Sequence, residues 1–305
     1  MRRREFVAAG LAAPGVLYGN NRIDRSRVSA ITDEIARSPA EAIAFARQYG
    51  LKWLELRNVP GARVTYFTLP EEEIRAAAKE FDQNGIGISF LNTGLLKFRM
   101  PGTELARKRE ETPEQRAKRE AADQRQFDSR LEDLRKAIRA AHILGTDKIR
   151  VFTFFRVVEP EALFPRIAEI LGEMAAVAER EKVRLLIENE GACNVVSCKE
   201  TAALLKLLPS KAIGINWDPM NGLAQKEPPY PDGYALLPKK RIGNVQIKGR
   251  SLLPGPQWLD WKAIFAALAK DGYQGQVGLE THIFDDRLIE HSHESMKEIL
   301  RLVGS

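Results

Sequence analysis

The sequence predicts a single-domain α/β protein with a (β/α)8 TIM barrel, and three observations predict this fold. Short apolar runs typical of strands alternate with longer runs typical of helices along nearly the whole chain of 305 residues. Eight such strand runs occur, and they are continuously apolar, as expected for strands that helices cover. No linker divides the chain, and about 250 residues is an ordinary length for one barrel.

Each of the eight predicted strands contains a short run of aliphatic or β-branched residues. They span residues 28–32, 53–57, 86–92, 148–154, 184–189, 213–217, 244–248 and 276–281. Strict alternation of strand and helix indicates a parallel sheet. Eight repeats favour closure of that sheet into a barrel over an open, doubly wound arrangement.

The predicted helices lie between these strands and carry recognisable end signals. Two begin at Ser38-Pro39 and Thr112-Pro113, and several end at a glycine such as Gly50 or Gly145. They span residues 39–48, 70–84, 113–144, 160–181, 199–208, 258–270 and 286–302. No glycine-rich phosphate-binding motif follows any strand, which excludes the usual nucleotide-binding sites.

The first 27 residues predict an export signal rather than part of the barrel. Arg2-Arg3-Arg4 precedes Phe6 and a modest apolar run, a pattern typical of a Tat signal. We therefore expect a leader over residues 1–27 that is disordered or cleaved, and a barrel over residues 28–305. The pattern also predicts the Tat export machinery as a partner and a periplasmic location, with a cytoplasmic location as the alternative.

The charge distribution argues against a nucleic-acid partner. The net charge is +6, but residues 1–27 hold six arginines against one aspartate and one glutamate. The rest of the chain is therefore near neutral, and no phosphate-binding surface is predicted. No run of apolar residues is long enough for a membrane span. The two cysteines do not form a zinc motif, and their spacing does not require a disulfide.

Polar residues at the ends of the strands are the candidate functional groups, because barrel active sites form there. Each of the last four strands ends in a polar pair spaced by two: Glu188 and Glu190, Asn216 and Asp218, Gln246 and Lys248, and Glu280 and His282. Glu55, Arg57 and Asn92 end earlier strands. Buried carboxylates at this density are costly unless neutralised. The sequence therefore predicts a divalent metal, and the alternative is an ion-pair network with Arg57, Lys248 and Arg250.

Several of these motifs together resemble a known superfamily, the xylose-isomerase-like sugar (phosphate) isomerases and epimerases. The resemblance runs from Val28 to the end of the chain. The motifs are Thr32-Asp33-Glu34, Glu55-Leu56-Arg57, Ile187-Glu188-Asn189, Trp217-Asp218-Pro219-x-Asn221, Val245-Gln246-Ile247-Lys248 and Leu279-Glu280.

The resemblance implies a metal site at the ends of strands five to eight. In the superfamily a Glu, an Asp, a His and a Glu hold the metal, and these positions fall on Glu188, Asp218, Gln246 and Glu280. The chain departs from the pattern at Gln246, where relatives have histidine. An all-oxygen set favours Mn²⁺ or Mg²⁺, with Co²⁺ or Zn²⁺ as alternatives.

The same resemblance implies a metal-dependent sugar isomerase or epimerase. Such an enzyme abstracts a proton next to a carbonyl and passes through an enediolate. Glu188 and Glu280 are the expected catalytic acid/base pair. The expected contacts to a sugar or sugar derivative are Glu55, Arg57, Asn92, Glu190, Asn216, Lys248, Arg250 and His282.

Three other functions remain as alternatives at this stage. A lyase or dehydratase acting on a keto-sugar would use the same site. Because Gln246 stands where relatives have histidine, a non-catalytic carbohydrate-binding protein is a further alternative. Endonuclease IV-type nucleases share the barrel, but they have a three-zinc site rich in histidines. This chain has only four histidines, which argues against a nuclease. Relatives often form dimers or tetramers, so a homo-oligomer is compatible with the resemblance.

Overall fold

The structure is a computed structural model, and it describes residues 22–107 and 110–304. These residues contain eight parallel strands in one sheet. The strands are β1 (Val28–Ala30), β2 (Trp53–Leu56), β3 (Gly87–Leu95), β4 (Lys148–Val151), β5 (Arg184–Glu188), β6 (Ile213–Trp217), β7 (Ile242–Lys248) and β8 (Gln276–Glu280).

The sheet closes on itself almost completely. Each strand pairs in parallel with its neighbours in the chain from β2 through to β8, and β8 then pairs with β1. A single parallel bridge from Ile31 to Glu55 connects the remaining pair, β1 and β2. The predicted single-domain (β/α)8 TIM barrel is therefore confirmed.

Ten α-helices accompany the strands within the described part of the chain. They are α1 (Thr32–Ile35), α2 (Pro39–Tyr49), α3 (Glu71–Gln83), α4 (Pro113–Leu144), α5 (Phe164–Arg180), α6 (Cys198–Lys206), α7 (Pro219–Gly222), α8 (Tyr234–Leu236), α9 (Trp261–Lys270) and α10 (Leu288–Gly304). Thr112 caps α4, and its hydroxyl accepts from the Gln115 amide. Gly50 and Gly145 end α2 and α4 in the left-handed conformation.

Element boundaries differ from the predicted ones in two places that affect the site. β1 ends at Ala30, because Thr32-Asp33-Glu34-Ile35 turn into the short helix α1 instead of extending the strand. Two acidic residues in a first helical turn are favourable there. The helices α7 and α8 were not predicted, because three or four residues are too few to show a helical period.

The barrel interior is polar at mid-height, whereas the layer between strands and helices is apolar. Leu54, Val245 and Val277 are fully buried on the face toward the helices. On the alternate positions, the inward face carries buried polar side chains: Ser29, Glu55, Asn92, Asn216, Asn244 and Gln246. Barrel interiors are usually filled by branched apolar residues. The polar interior therefore supports a site rather than ordinary packing.

The remaining predictions concern the chain ends, a membrane and the cysteines. Residues 1–21 of the predicted leader lie outside the described residues. Ile23 is buried, and Arg27 donates two hydrogen bonds to the Gly275 carbonyl, at 3.0 and 2.6 Å. Within the described residues, no helix has both the length and the apolar character needed to cross a membrane. Cys193 and Cys198 are both buried and free.

Candidate active site

Three of the four predicted metal ligands meet at the carboxyl end of the barrel. Glu188, Asp218 and Glu280 each place one carboxylate oxygen within 4.8 Å of the other two. Glu188 ends β5, Asp218 follows β6, and Glu280 ends β8. All three side chains are buried. The geometry therefore gathers three carboxylates from three separate strands in a space that water barely reaches.

The end of β6 holds Asp218 in a fixed orientation. Its Oδ1 accepts from the backbone amides of Met220 and Asn221, at 2.9 and 3.1 Å, and so caps the short helix α7. The side chain of Asn189 accepts from the Asp218 amide at 2.9 Å and donates to the Asp218 carbonyl at 2.7 Å. Since Oδ1 is used by the cap, Oδ2 is the oxygen that faces the cluster.

Among the buried side-chain oxygens that accept no hydrogen bond from any described residue, three belong to predicted ligands: Asp218 Oδ2, Gln246 Oε1 and Glu280 Oε2. Two others, Asn92 Oδ1 and Asn244 Oδ1, belong to inward-facing amides. A buried oxygen without a donor is costly, and such atoms are rare in folded proteins. Hard divalent cations bind carboxylate and amide oxygens. The donor set therefore fits a divalent cation.

Cations also lie against the cluster and only partly neutralise it. Arg150 donates to Glu188 Oε2 at 3.0 Å, and Arg57 contacts Glu280 Oε1 at 3.2 Å. The ammonium of Lys248 lies 3.0 Å from Asp218 Oδ2 and 4.0 Å from Glu280 Oε2. Lys248 Nζ also donates a hydrogen bond to Asn221 Oδ1 at 2.8 Å. The predicted ion pairs of Arg57 and Lys248 are therefore present beside the carboxylates.

Counted over the described residues, negative charge exceeds positive charge here. The ion pairs join Asp33, Glu34, Glu188, Glu190, Asp218 and Glu280 to Arg57, Lys97, Arg150 and Lys248. If all of these groups are ionised, the six carboxylates exceed the four cations by two charges, and Glu55, which is in none of these ion pairs, is not part of that count. The ion-pair network alone thus leaves the site acidic.

Burial pushes the pKa values of the site carboxyls in different directions. Burial raises the pKa of Glu188 to about 7 against the opposing effect of Arg150, and raises that of Asp218 to about 6 against Lys248. Burial also acts on Glu280, but Lys248, Arg150 and Arg57 outweigh it and bring its pKa to about 2. Glu188 and Glu280 therefore differ in proton affinity although they share one cluster.

The predicted substrate residues lie at different depths in the barrel. Asn216 is in the cluster, where it donates to Glu188 Oε2 at 2.7 Å. Glu190 is at the rim, with Lys97 at 3.5 Å. His282 is partly exposed, and its Nδ1 lies 3.9 Å from Glu280 Oε1. Arg250 is exposed in the turn after β7, and no contact joins it to the cluster among the described residues.

Two predicted substrate residues lie deeper than expected. Glu55 is fully buried inside the barrel, where Asn92 donates to its Oε2 at 2.9 Å. Gln246 donates to the same oxygen at 2.8 Å. Glu55 and Asn92 are therefore placed beneath the carboxylate cluster, on no surface that opens to solvent.

Sequence reasoning missed several residues that contact the predicted ones. Glu34 of α1 accepts from the His282 amide at 2.8 Å and from Arg57 at 2.9 Å. Burial, followed by the charge of Glu280, raises the pKa of Glu34 to about 7. Arg150 lies on the inward face of β4, which it shares with Lys148. The available signal was a pair of basic residues, spaced by two, in an otherwise apolar strand, whereas nothing in the sequence indicated that Glu34 turns back over the barrel.

Comparisons with known proteins agree with this architecture. A family model described as a xylose isomerase-like TIM barrel matches residues 43–301. No curated protein matches the chain. The three solved structures described next are between 13% and 15% identical to the chain, and at such identities the likeness shows the fold alone.

Three of these structures illustrate the likeness. The 3-keto-D-glucoside 4-epimerase of E. coli, in its apo form, is 14% identical, with a TM-score of 0.65, over 92% of this chain and 100% of that one. An IOLI protein with a bound zinc atom is 15% identical, with a TM-score of 0.68, over 91% and 98%. A probable 3-DHS dehydratase of Bacillus anthracis is 13% identical, with a TM-score of 0.64, over 90% and 98%.

Proposed function

Since this chain belongs to the xylose isomerase-like TIM barrel family, we propose that it is a divalent-metal-dependent sugar isomerase or epimerase. The observation that carries the proposal is the set of three buried oxygens of Asp218, Gln246 and Glu280 that accept no hydrogen bond from any described residue. Glu188 is within the same cluster of carboxylates. Glu188, Asp218, Gln246 and Glu280 would hold the metal, with Mn²⁺ or Mg²⁺ favoured by an all-oxygen set. A bound cation would polarise a substrate carbonyl and stabilise negative charge as it develops on the oxygen.

Glu188 and Glu280 are the proposed proton-transfer pair. They end β5 and β8, which are three strands apart, so they reach the site from different sides of the barrel. Epimerisation next to a carbonyl needs one group that removes a proton and another that delivers one. In the metal-free site, burial raises the pKa of Glu188, whereas neighbouring cations outweigh burial and lower that of Glu280, so the two carboxyls differ in proton affinity. Asn216 and Arg150 orient Glu188, and Arg57 orients Glu280.

The proposed substrate is an unphosphorylated sugar or keto-sugar. The cations Arg57, Arg150 and Lys248 all contact carboxylates, and the site keeps an excess of negative charge. Because each of these three cations already contacts a carboxylate, none of them is free to hold a phosphate dianion. The ring of Phe284 is 67% exposed and packs edge-on against His282 at 4.7 Å. An exposed aromatic face of this kind suits the apolar face of a sugar.

The first experiment combines metal content with proton exchange. Elemental analysis of purified protein is expected to find about one divalent metal per chain, and Glu188→Gln and Asp218→Asn are expected to lose it. Incubation of keto-sugars in D2O is then expected to exchange a carbon-bound proton, as detected by NMR. A wild-type protein that retains no metal after incubation with excess Mn²⁺ would contradict the proposal.

A second candidate is a lyase or dehydratase acting on a keto-sugar. The likeness in fold to the probable 3-DHS dehydratase, with a TM-score of 0.64, supports this second candidate. Both reactions begin with removal of a proton next to a carbonyl, but only the dehydratase releases water. Product analysis separates them, because epimerisation conserves the substrate mass and dehydration lowers it by one water.

A further inference from the structure

We propose that Glu55 is a positioning residue that fixes the side-chain amide of Gln246, so that Oε1 is the atom presented to the metal. The inference rests on the proposed metal site, and it concerns how this chain makes a ligand from glutamine. Glu55 touches neither metal nor substrate in this proposal. It acts through Gln246, which donates Nε2 to Glu55 Oε2 at 2.8 Å.

The carboxyl group of Glu55 is surrounded by neutral donors. Its Oε1 accepts from the Ser29 hydroxyl at 2.8 Å and from Asn244 Nδ2 at 3.3 Å. Its Oε2 accepts from Asn92 Nδ2 at 2.9 Å and from Gln246 Nε2. Three of the four partners are amide nitrogens, which can only donate. Both oxygens of the Glu55 carboxyl group therefore act as hydrogen-bond acceptors in this arrangement.

A carboxyl oxygen that accepts at this position selects one of the two orientations of the Gln246 amide. The oxygen and nitrogen ends have nearly the same shape, so packing alone does not distinguish them. With the amide reversed, Gln246 Oε1 would face a carboxylate oxygen at hydrogen-bond distance, and two acceptors would repel. Glu55 therefore requires Nε2 on its own side. The consequence is that Oε1 points elsewhere, and it is buried without a donor from any described residue.

The free oxygen lies on the strand that passes between two other ligands. Gln246 is two positions before Lys248 on the inward face of β7. Lys248 in turn lies beside Asp218 and Glu280, on the flanking strands. Fixing this amide matters because a neutral amide oxygen binds cations more weakly than the histidine nitrogen that relatives use. A residue that holds a ligand in orientation typically changes metal affinity by about 10–100-fold.

The barrel is shaped to hold Glu55 in this position. Gly278 faces it from β8, and a Cβ added at Gly278 would lie 1.9 Å from Glu55 Oε1. Only glycine permits that approach. Glu55 is also fully buried, so it does not exchange its partners with solvent. The carboxylate thus occupies a closed niche with a defined set of donors.

The test is Mn²⁺ titration of the metal-free, full-length protein by calorimetry. Glu55→Gln keeps the shape of the side chain but introduces an amide that no longer selects one orientation of Gln246. We expect it to weaken Mn²⁺ binding by about 10–100-fold. Ser29→Ala is the matched control, because it removes a different hydrogen bond to Glu55 and is expected to leave Mn²⁺ affinity within about threefold. Glu55→Asp, which withdraws the charge from Gln246, replaces Glu55→Gln if that variant does not fold.

The Gln246→Ala background distinguishes positioning from general destabilisation. If Glu55 acts through Gln246, adding Glu55→Gln to Gln246→Ala causes no further loss of Mn²⁺ affinity. Two outcomes would overturn the inference but not the proposed function. One is equal Mn²⁺ affinity in wild type and Glu55→Gln. The other is a loss of Mn²⁺ affinity on adding Glu55→Gln that is as large in the Gln246→Ala background as in wild type. A wild-type protein that binds no Mn²⁺ would overturn the proposed function together with the inference.

Discussion

Glu188 shows the free-energy cost of burying a carboxyl group in this site. Its carboxyl is almost completely buried, and burial raises its pKa to about 7 in spite of Arg150. A carboxyl whose pKa is higher in the folded than in the unfolded protein holds its proton more tightly when folded. Its contribution to stability is therefore full below about pH 4.5 and is lost as the pH rises toward 7.

We expect Glu188→Gln to stabilise the metal-free protein at pH 8 while it abolishes metal binding. Glutamine mimics the protonated carboxyl, so the cost of ionising a buried group disappears. The gain is on the order of 1 kcal/mol, or about 2–4 °C in Tm for a large domain. Thermal unfolding at pH 5 and pH 8 checks this, and the difference from wild type is expected to shrink at pH 5. A larger gain at pH 5 than at pH 8 would contradict the argument.

Lys248 competes with a metal for the same carboxylates. Its ammonium lies 3.0 Å from Asp218 Oδ2, and burial is outweighed by that neighbouring charge, so the pKa of Lys248 is raised. We expect Lys248→Met to raise Mn²⁺ affinity by about tenfold, because a nearby like charge is removed. Lys97→Met is the control, since Lys97 lies at the rim, 3.5 Å from Glu190. Weaker Mn²⁺ binding in Lys248→Met than in Lys97→Met would refute this account.

At the scale of elements, β8 and β3 offer a matched pair of glycines. A Cβ at Gly278 of β8 would collide with Glu55, whereas a Cβ at Gly94 of β3 would meet nothing within 4 Å. We expect Gly278→Ala to lower the free energy of unfolding by about 2–3 kcal/mol, as overpacked cores do. Gly94→Ala is expected to be neutral or to stabilise by up to about 1 kcal/mol. Urea unfolding measures both, and equal effects would show that Gly278 makes no room for Glu55.

The short helix α1 shows why element boundaries matter for the site. A strand over residues 28–32 followed by a loop was predicted, but the chain turns into a helix at Thr32. That turn brings Glu34 within 2.9 Å of Arg57. The sequence contains the acidic residues that favour a helix start, but a four-residue helix has no period to detect. Tertiary contacts with Arg57 and His282 complete its stabilisation.

At the scale of the whole molecule, the amino-terminal segment is proposed to direct export. Its twin arginines, Arg2 and Arg3, precede an apolar run. We expect a fusion of residues 1–27 to a reporter to reach the periplasm, and Arg2→Lys with Arg3→Lys to abolish that transport. Cell fractionation measures the location of the reporter. Equal export by the wild-type and double-lysine fusions would exclude a Tat signal.

Several features of the fold and the site follow from the sequence because they are local or periodic. Apolar strand runs and helix end signals are read within a few residues, and β6 and α4 match their predicted spans of 213–217 and 113–144. The carboxyl ends of parallel strands in a barrel must meet on one side. For that reason the proximity of Glu188, Asp218 and Glu280 was predictable without coordinates.

Only the tertiary structure decided which polar side chains share a partner. Glu55 is three residues into a strand like many others, yet it lies inside the barrel because Gly278, 223 positions later, leaves room for it. Arg250 was predicted in the site from its position after β7, but the turn leaves it exposed. The physical reason is range: strand and helix periods arise from neighbouring residues, whereas burial, ion pairing and pKa depend on groups that only the closed barrel brings together.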